Sequence, residues 1–208
     1  MKTRIITDSA SDILEGEYEN LTVLPLSITF GTATYLDGVD LTHERFYELL
    51  VEEDELPKTG QVNPYAFGQV LDEVHTAAQE AVVITLSSKL SGTHQSAITA
   101  AAQAKGVVRV VDSLNVCVGE RVLVECALRL AEKGLGAVEI AGGIDFGMPV
   151  ALGYAGLSDR LLRKYVADSR GLWEAGFPDG SLPVHTVGAT IGTHVGPGAI
   201  ALAFFRKA

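Results

Sequence analysis

An α/β fold built on a parallel sheet is predicted by three features of the 208-residue sequence. Short apolar runs, Val82–Leu86 and Val107–Val111, have the continuous character of strands buried on both faces. They alternate with stretches whose apolar residues recur at helical spacing. Each run also ends in polar residues, so one rim of the sheet gathers Asp8-Ser9, the segment Ser87 to Thr93, and Asp112-Ser113. In open parallel sheets, ligands sit at that carboxyl rim.

Element by element, Arg4–Thr7 reads as a strand entering the polar turn Asp8-Ser9-Ala10-Ser11-Asp12, and Leu21–Leu24 and Ser27–Phe30 read as strands around Pro25. Thr42 is placed as the N-cap of a helix running through Val51, with Phe46, Leu49 and Leu50 on one face. Pro64 suits a helix start, and Phe67, Val70, Leu71, Val74 and Ala78 follow at helical spacing. Ser91–Lys105 reads as a helix, as does Gly119–Lys133 with Gly134 ending it. Beyond Gly134 the pattern predicts a strand at Val150–Tyr154 and a helix capped by Ser158 that extends to Trp173. A turn at Gly176–Gly180, a strand at Val184–Ile191 and a final strand at Ala199–Phe205 complete it.

A net charge of −10 with no clustered Lys or Arg excludes nucleic acid as the expected partner. The start, Met1-Lys2-Thr3-Arg4-Ile5-Ile6, lacks a signal-peptide apolar region, and no apolar run reaches bilayer length, so a cytoplasmic, non-spanning protein is expected. Cys117 and Cys126 lie nine apart, which fits neither redox nor zinc spacing; they read as small core residues, and no metal or cofactor is expected.

The richest local signal is Val82-Val83-Ile84-Thr85-Leu86-Ser87-Ser88-Lys89-Leu90-Ser91-Gly92-Thr93-His94-Gln95. Strand, hydroxyl-rich turn and helix start together aim backbone N–H groups and side-chain donors at an anion. Ser91 alone would be an ordinary cap, but Ser87, Ser88 and Thr93 crowd the same turn, Gly92 lets a ligand approach the backbone, and His94 stands where a capping box wants Glu or Gln. Thr59-Gly60-Gln61 reads as a loop between two helices and as a candidate second donor cluster. His194 lies within Gly192–Gly198, read as a glycine-bent loop. Gly196-Pro197-Gly198-Ala199-Ile200-Ala201 satisfies a dinucleotide pattern, but ten residues remain after Gly198, too few for a βαβ unit. A Ser91–His194–Asp112 triad can be drawn, although Ser91 lacks the Gly-x-Ser-x-Gly elbow of a serine nucleophile.

Taken in order, these residues resemble the DegV family. Ile6-Thr7-Asp8-Ser9-Ala10-Ser11-Asp12 is similar to its opening strand and turn, Leu24-Pro25-Leu26 and Tyr35-Leu36-Asp37-Gly38 to its next segment, and Leu86-Ser87-Ser88-Lys89-Leu90-Ser91-Gly92-Thr93 to its hydroxyl turn. Val111-Asp112-Ser113 and Ile191-Gly192-Thr193-His194-Val195-Gly196-Pro197-Gly198 complete the set. Gly60 and Val62 depart from the Thr-Ser-Gln-Pro usual in the family, and Ala141–Pro149 directly bridges a region where the family carries further elements with a Gly-Gly-Arg-Ile-like motif.

The resemblance implies a Rossmann-like N-terminal domain, residues 1–140, and a reduced C-terminal α/β lobe, residues 141–208. It implies binding of a fatty acid, without chemistry on it, and presentation of its carboxylate to a fatty-acid kinase. By position, Thr59 and Ser91 would hydrogen-bond the carboxylate, with Gly60, Gln61, Gly92 and Thr93 beside them, His194 supporting the head group, and Asp8 and Ser9 on the same rim. The acyl tail would enter an apolar cavity between the two domains. Two other readings stay open at the level of sequence: an interaction or regulatory protein that has lost lipid binding, and a serine hydrolase using Ser91.

Overall fold

The computed structural model describes residues 2–143, 151–168, 170–171 and 183–203. Its centre is a four-stranded parallel sheet of β1 (Thr3–Asp8), β2 (Leu21–Leu24), β6 (Glu80–Thr85) and β7 (Val108–Asp112), in the order β2-β1-β6-β7. Ile5 pairs with both Leu21 and Val82, which sets the register. Successive strand residues face opposite sides, and both sides are covered. Ile6 and Val83 pack against Phe67 and Leu71 of α2 (Pro64–Thr76) and Ala97 of α3 (Thr93–Ala101). Ile5, Val82 and Ile84 pack against Leu123 and Val124 of α4 (Val118–Glu132) and Ile140 of α5 (Ala137–Gly142). Phe67 is fully buried, a burial that stabilises by roughly 1.5–3 kcal/mol.

The predicted helix signals operate. The Thr42 hydroxyl accepts from Arg45 N–H at the start of α1 (His43–Glu52), Asn63 caps α2 with Pro64 behind it, and Gly134 turns left-handed, φ 83°, after α4. Both cysteines are buried and unpaired.

A second sheet was not foreseen. β3 (Ser27–Phe30), β4 (Ala33–Leu36) and β5 (Lys58–Gly60) form an antiparallel sheet in the order β4-β3-β5. The segment Thr59-Gly60-Gln61 is therefore not a plain loop: Gly60 pairs with Ser27 and Thr59 with Ile28. This sheet and α1 share a core with the end of the chain, where Ile28, Phe30, Phe46 and Tyr47 meet Val187 and Ala189. Elements on either side of residue 140 thus close one core.

The third sheet joins β8 (Ala151–Tyr154), β9 (Val184–Thr186) and β10 (Ile200–Ala203), ordered β10-β8-β9, and rests on Val118 and Val122 of α4. A helix, α6 (Arg160–Asp168), follows β8. The single strand expected at Val184–Ile191 is corrected by the structure: β9 ends at Thr186, and α7 spans Ala189–Val195. Gly192 lies inside that helix, where a Cβ would sit 2.7 Å from Phe46 Cε1 and 2.8 Å from the Tyr47 hydroxyl oxygen. The expected bridge from 144 to 149, Trp173, the turn at 176–180 and Phe205 lie outside the described residues.

Candidate functional site

At the carboxyl rim, three segments converge on a cleft of about 550 Å³. The β6–α3 turn contributes Leu86, Leu90, Ser91 and Gly92; the end of β5 contributes Thr59, Gly60 and Gln61; and α7 contributes Thr190, Ile191, His194 and Val195. Leu26 and Val116 complete the wall. One end is polar and the rest is apolar.

The polar end is assembled by local hydrogen bonds. The Ser91 hydroxyl accepts from Thr93 N–H at 3.2 Å and lies 3.0 Å from the Thr93 hydroxyl. Thr93 is fully buried behind it and accepts from Val62 N–H, tying the chain after β5 to the start of α3. Gln61 reaches over the same helix end, donating to Ser96 at 3.3 Å. The Gln61 amide lies so close to Gly92 that a Cβ there would displace it. As N-cap residue Gly92 offers no side-chain acceptor, and the Ser91 hydroxyl takes up the Thr93 N–H in its place; the N–H groups that follow in the first turn point as an anion site would need. Across the cleft, the Thr59 hydroxyl lies 3.3 Å from His194 Nε2. Gly60 has a packing reason as well, since a Cβ would overlap the Ser27 hydroxyl.

Of the residues singled out in the sequence, Thr59, Gly60, Gln61, Ser91, Gly92 and His194 line this one cleft, and Thr93 supports it. Asp8 and Ser9 do not line it. Asp8 is fully buried and accepts from Ala10 and Leu86 N–H, so it anchors the start of the hydroxyl turn from beneath. Ser9 accepts from Leu26 N–H and donates to Asp37. The hydroxyl of Ser87 and the N–H of Ser88 serve the turn itself, through Lys89 N–H and Asp112. The triad is not assembled: His194 meets Thr59, Ser91 meets Thr93, and Asp112 accepts from Ser88 and Leu114 N–H.

The sequence reading missed Leu26, Val116, Thr190 and Ile191. The first two are single apolar residues outside any periodic run, and the last two fell in the segment misread as a strand. A second, shallower cavity of about 220 Å³ adjoins the cleft, sharing Val116, Ile191 and Val195 with it. Val118, Ala201 and Ala203 help to line that extension, so the apolar surface continues toward β10.

Beneath the rim lie buried acids. Burial raises the carboxyls of Asp8 and Asp12 to about 7 and holds Glu120 well above the usual carboxylate range. Among the described residues, no three His, Cys, Asp or Glu side chains are placed to hold a metal ion, and no helix is long and apolar enough to cross a membrane.

A family model describing uncharacterised proteins of the DegV family matches residues 2–145. The chain belongs to the DegV family. A DegV domain-containing protein of Caldanaerobacter subterraneus subsp. tengcongensis is 37% identical over 146 residues, which cover 69% of this chain and 52% of the relative. The chain spans about half the length of the curated relatives it matches. The DegV protein of Bacillus subtilis, a fatty acid binding protein, superposes with a TM-score of 0.83 at 20% identity over 98% of this chain and 99% of that one. A DegV family protein of Eubacterium eligens loaded with heptadecanoic acid gives 0.79 at 19% identity, covering 99% and 100%. At such identities the likeness is one of fold.

Proposed function

We propose that this DegV protein binds a fatty acid, holding the carboxylate between Thr59, Ser91 and His194 and the acyl tail along the apolar cleft. The observation that carries the reading is the division of one 550 Å³ cleft into a hydroxyl and imidazole end and a wall of Leu26, Leu86, Val116 and Ile191. The energetics suit such a ligand. A carboxylate leaving water costs several kcal/mol unless hydrogen-bonded, and each buried methylene returns about 0.8 kcal/mol.

The fold shared with fatty-acid-binding DegV proteins supports the same reading. The residues do no chemistry on the acid in this proposal; they hold it. Leu90 and Val195, both exposed, edge the cleft; an open edge of this kind supports the further part of the proposal, presentation of the head group to a fatty-acid kinase.

Denaturing extraction and mass spectrometry of purified protein test the reading, with titration of a fluorescent fatty acid against wild type and Ser91→Ala. Copurified fatty acid and weaker binding by the variant are expected. Protein that carries none, with affinity unchanged by Ser91→Ala, would sink it.

A further inference from the structure

The opening motif Asp8-Ser9-Ala10-Ser11-Asp12 does not reach the cleft, yet its last acid and its serine act on the helix that does. α7 has no capping side chain of its own, because Gly188 is its N-cap residue. The missing acceptors come from two buried carboxylates far away in sequence. Asp12 Oδ1 accepts from Gly188 N–H at 2.8 Å, while Asp12 Oδ2 meets the Cys117 thiol at 2.7 Å. Asp37 Oδ2 accepts from Thr190 N–H at 3.2 Å, from the Thr190 hydroxyl at 2.5 Å and from the Ser9 hydroxyl at 3.0 Å. Both acids are almost wholly buried, and His43 Nε2 lies 4.0 Å from the other Asp37 oxygen.

The fit around this clamp is close. A Cβ on Gly188 would stand 2.8 Å from Asp12 Oδ1 and 2.9 Å from His43 Nε2. On the same side of the helix Gly192 rests against Phe46 and Tyr47, and the Tyr47 hydroxyl donates to Val187 carbonyl at 2.9 Å. A helix of seven residues cannot hold its own position by helical propensity. Its two ends therefore have different tasks: the N-terminus is gripped from the sheet side, and the last turn delivers His194 to Thr59.

We propose that Asp12 and Asp37 are positioning residues for the head-group end of the cleft, acting through α7 to set His194 against Thr59. The inference rests on the fatty-acid reading for its affinity arm and on geometry alone for its spectroscopic arm. Asp37→Asn keeps the shape but withdraws the charge that holds Thr190. A purely structural role would weaken the binding of any ligand with the same tail, whereas a positioning role falls on the carboxylate.

The experiment compares hexadecanoate with its methyl ester in wild type and Asp37→Asn, and follows the His194 ring by two-dimensional NMR. The expected result is a shift of the His194 signal and a loss of acid-over-ester preference of about tenfold, the size of one charge-assisted hydrogen bond. Ser9→Ala, which removes a donor to the same Asp37 oxygen that holds Thr190, gives the same changes in smaller measure and serves where Asp37→Asn does not fold. An unmoved His194 signal in the folded variant overturns the clamp whatever the protein binds. A wild type that takes up neither compound counts against the fatty-acid reading, while the ring signal still decides the clamp.

Discussion

His194 Nε2 lies 3.3 Å from the Thr59 hydroxyl, although 135 positions of chain separate them. Both side chains line the cleft that Ser91 also lines. His194→Ala is expected to weaken fatty-acid binding about tenfold, the lower end for a lost hydrogen bond to a charged group, and Thr59→Val to do nearly the same. Because the two share one contact, the double variant should lose less than the sum. Fluorescence titration of the three variants checks this, and strictly additive losses would separate the two residues functionally.

The apolar extension past Val116, Ile191 and Val195 gives a chain-length prediction. Ala201→Leu fills that extension, so it should cost octadecanoate affinity while leaving decanoate unaffected. Since each methylene is worth about 0.8 kcal/mol, a few displaced methylenes are measurable by competition. Equal losses for both acids would mean that the tail takes another route.

Stability should fall as pH rises from 6 to 8. Asp8 and Asp12 are raised by burial from 3.8 to about 7, so the folded chain keeps protons that the unfolded chain has released. Between those two values the native state is the more protonated one, and stability declines with pH until about 7 is passed. Each such group contributes about 1 kcal/mol across the interval. His43 and His185, lowered by burial, act in the opposite sense chiefly below their ordinary 6.5. Urea midpoints at the two pH values test the sign, and Asp8→Asn should flatten the slope. A midpoint higher at pH 8 would refute the account.

Gly192→Ala tests the seat of α7. Its methyl would stand 2.7 Å from Phe46 Cε1 and 2.8 Å from the Tyr47 hydroxyl oxygen, an overpacking expected to cost about 1–3 kcal/mol. Thermal unfolding should register the loss, together with weaker fatty-acid binding as His194 is displaced. Unchanged stability would show that the helix has room to move outward.

The parallel sheet and its helices were legible because both rest on local periodicity: Val82–Leu86 could hardly be anything but a buried strand. The antiparallel sheet was not, since Lys58–Gly60 is three residues long and is a strand by virtue of pairing with Ser27–Thr29. Gly192 misled for a related reason. A glycine reads as a bend, yet here it is demanded by aromatic rings some 145 positions earlier. The acids of the opening motif look like ligand groups in sequence, because a buried carboxylate and a binding carboxylate have the same letter. Thr59, Ser91 and His194, singled out as candidates from local donor density and a glycine-flanked histidine, do come to line one cleft.

The clamp on α7 also orders events in time. Asp12 is 176 positions from Gly188 and Asp37 is 153 from Thr190, so these contacts close long loops and come at high entropic cost. During synthesis, the residues of the parallel sheet have emerged once position 112 is out, and its strands can pair from then on. The polar end of the cleft must wait for α7, more than seventy residues later. One face of the sheet is covered when α4 and α5 have followed, and until α7 is made no His194 stands opposite Thr59. The contact between His194 and Thr59 is thereby tied to a segment made well after the sheet.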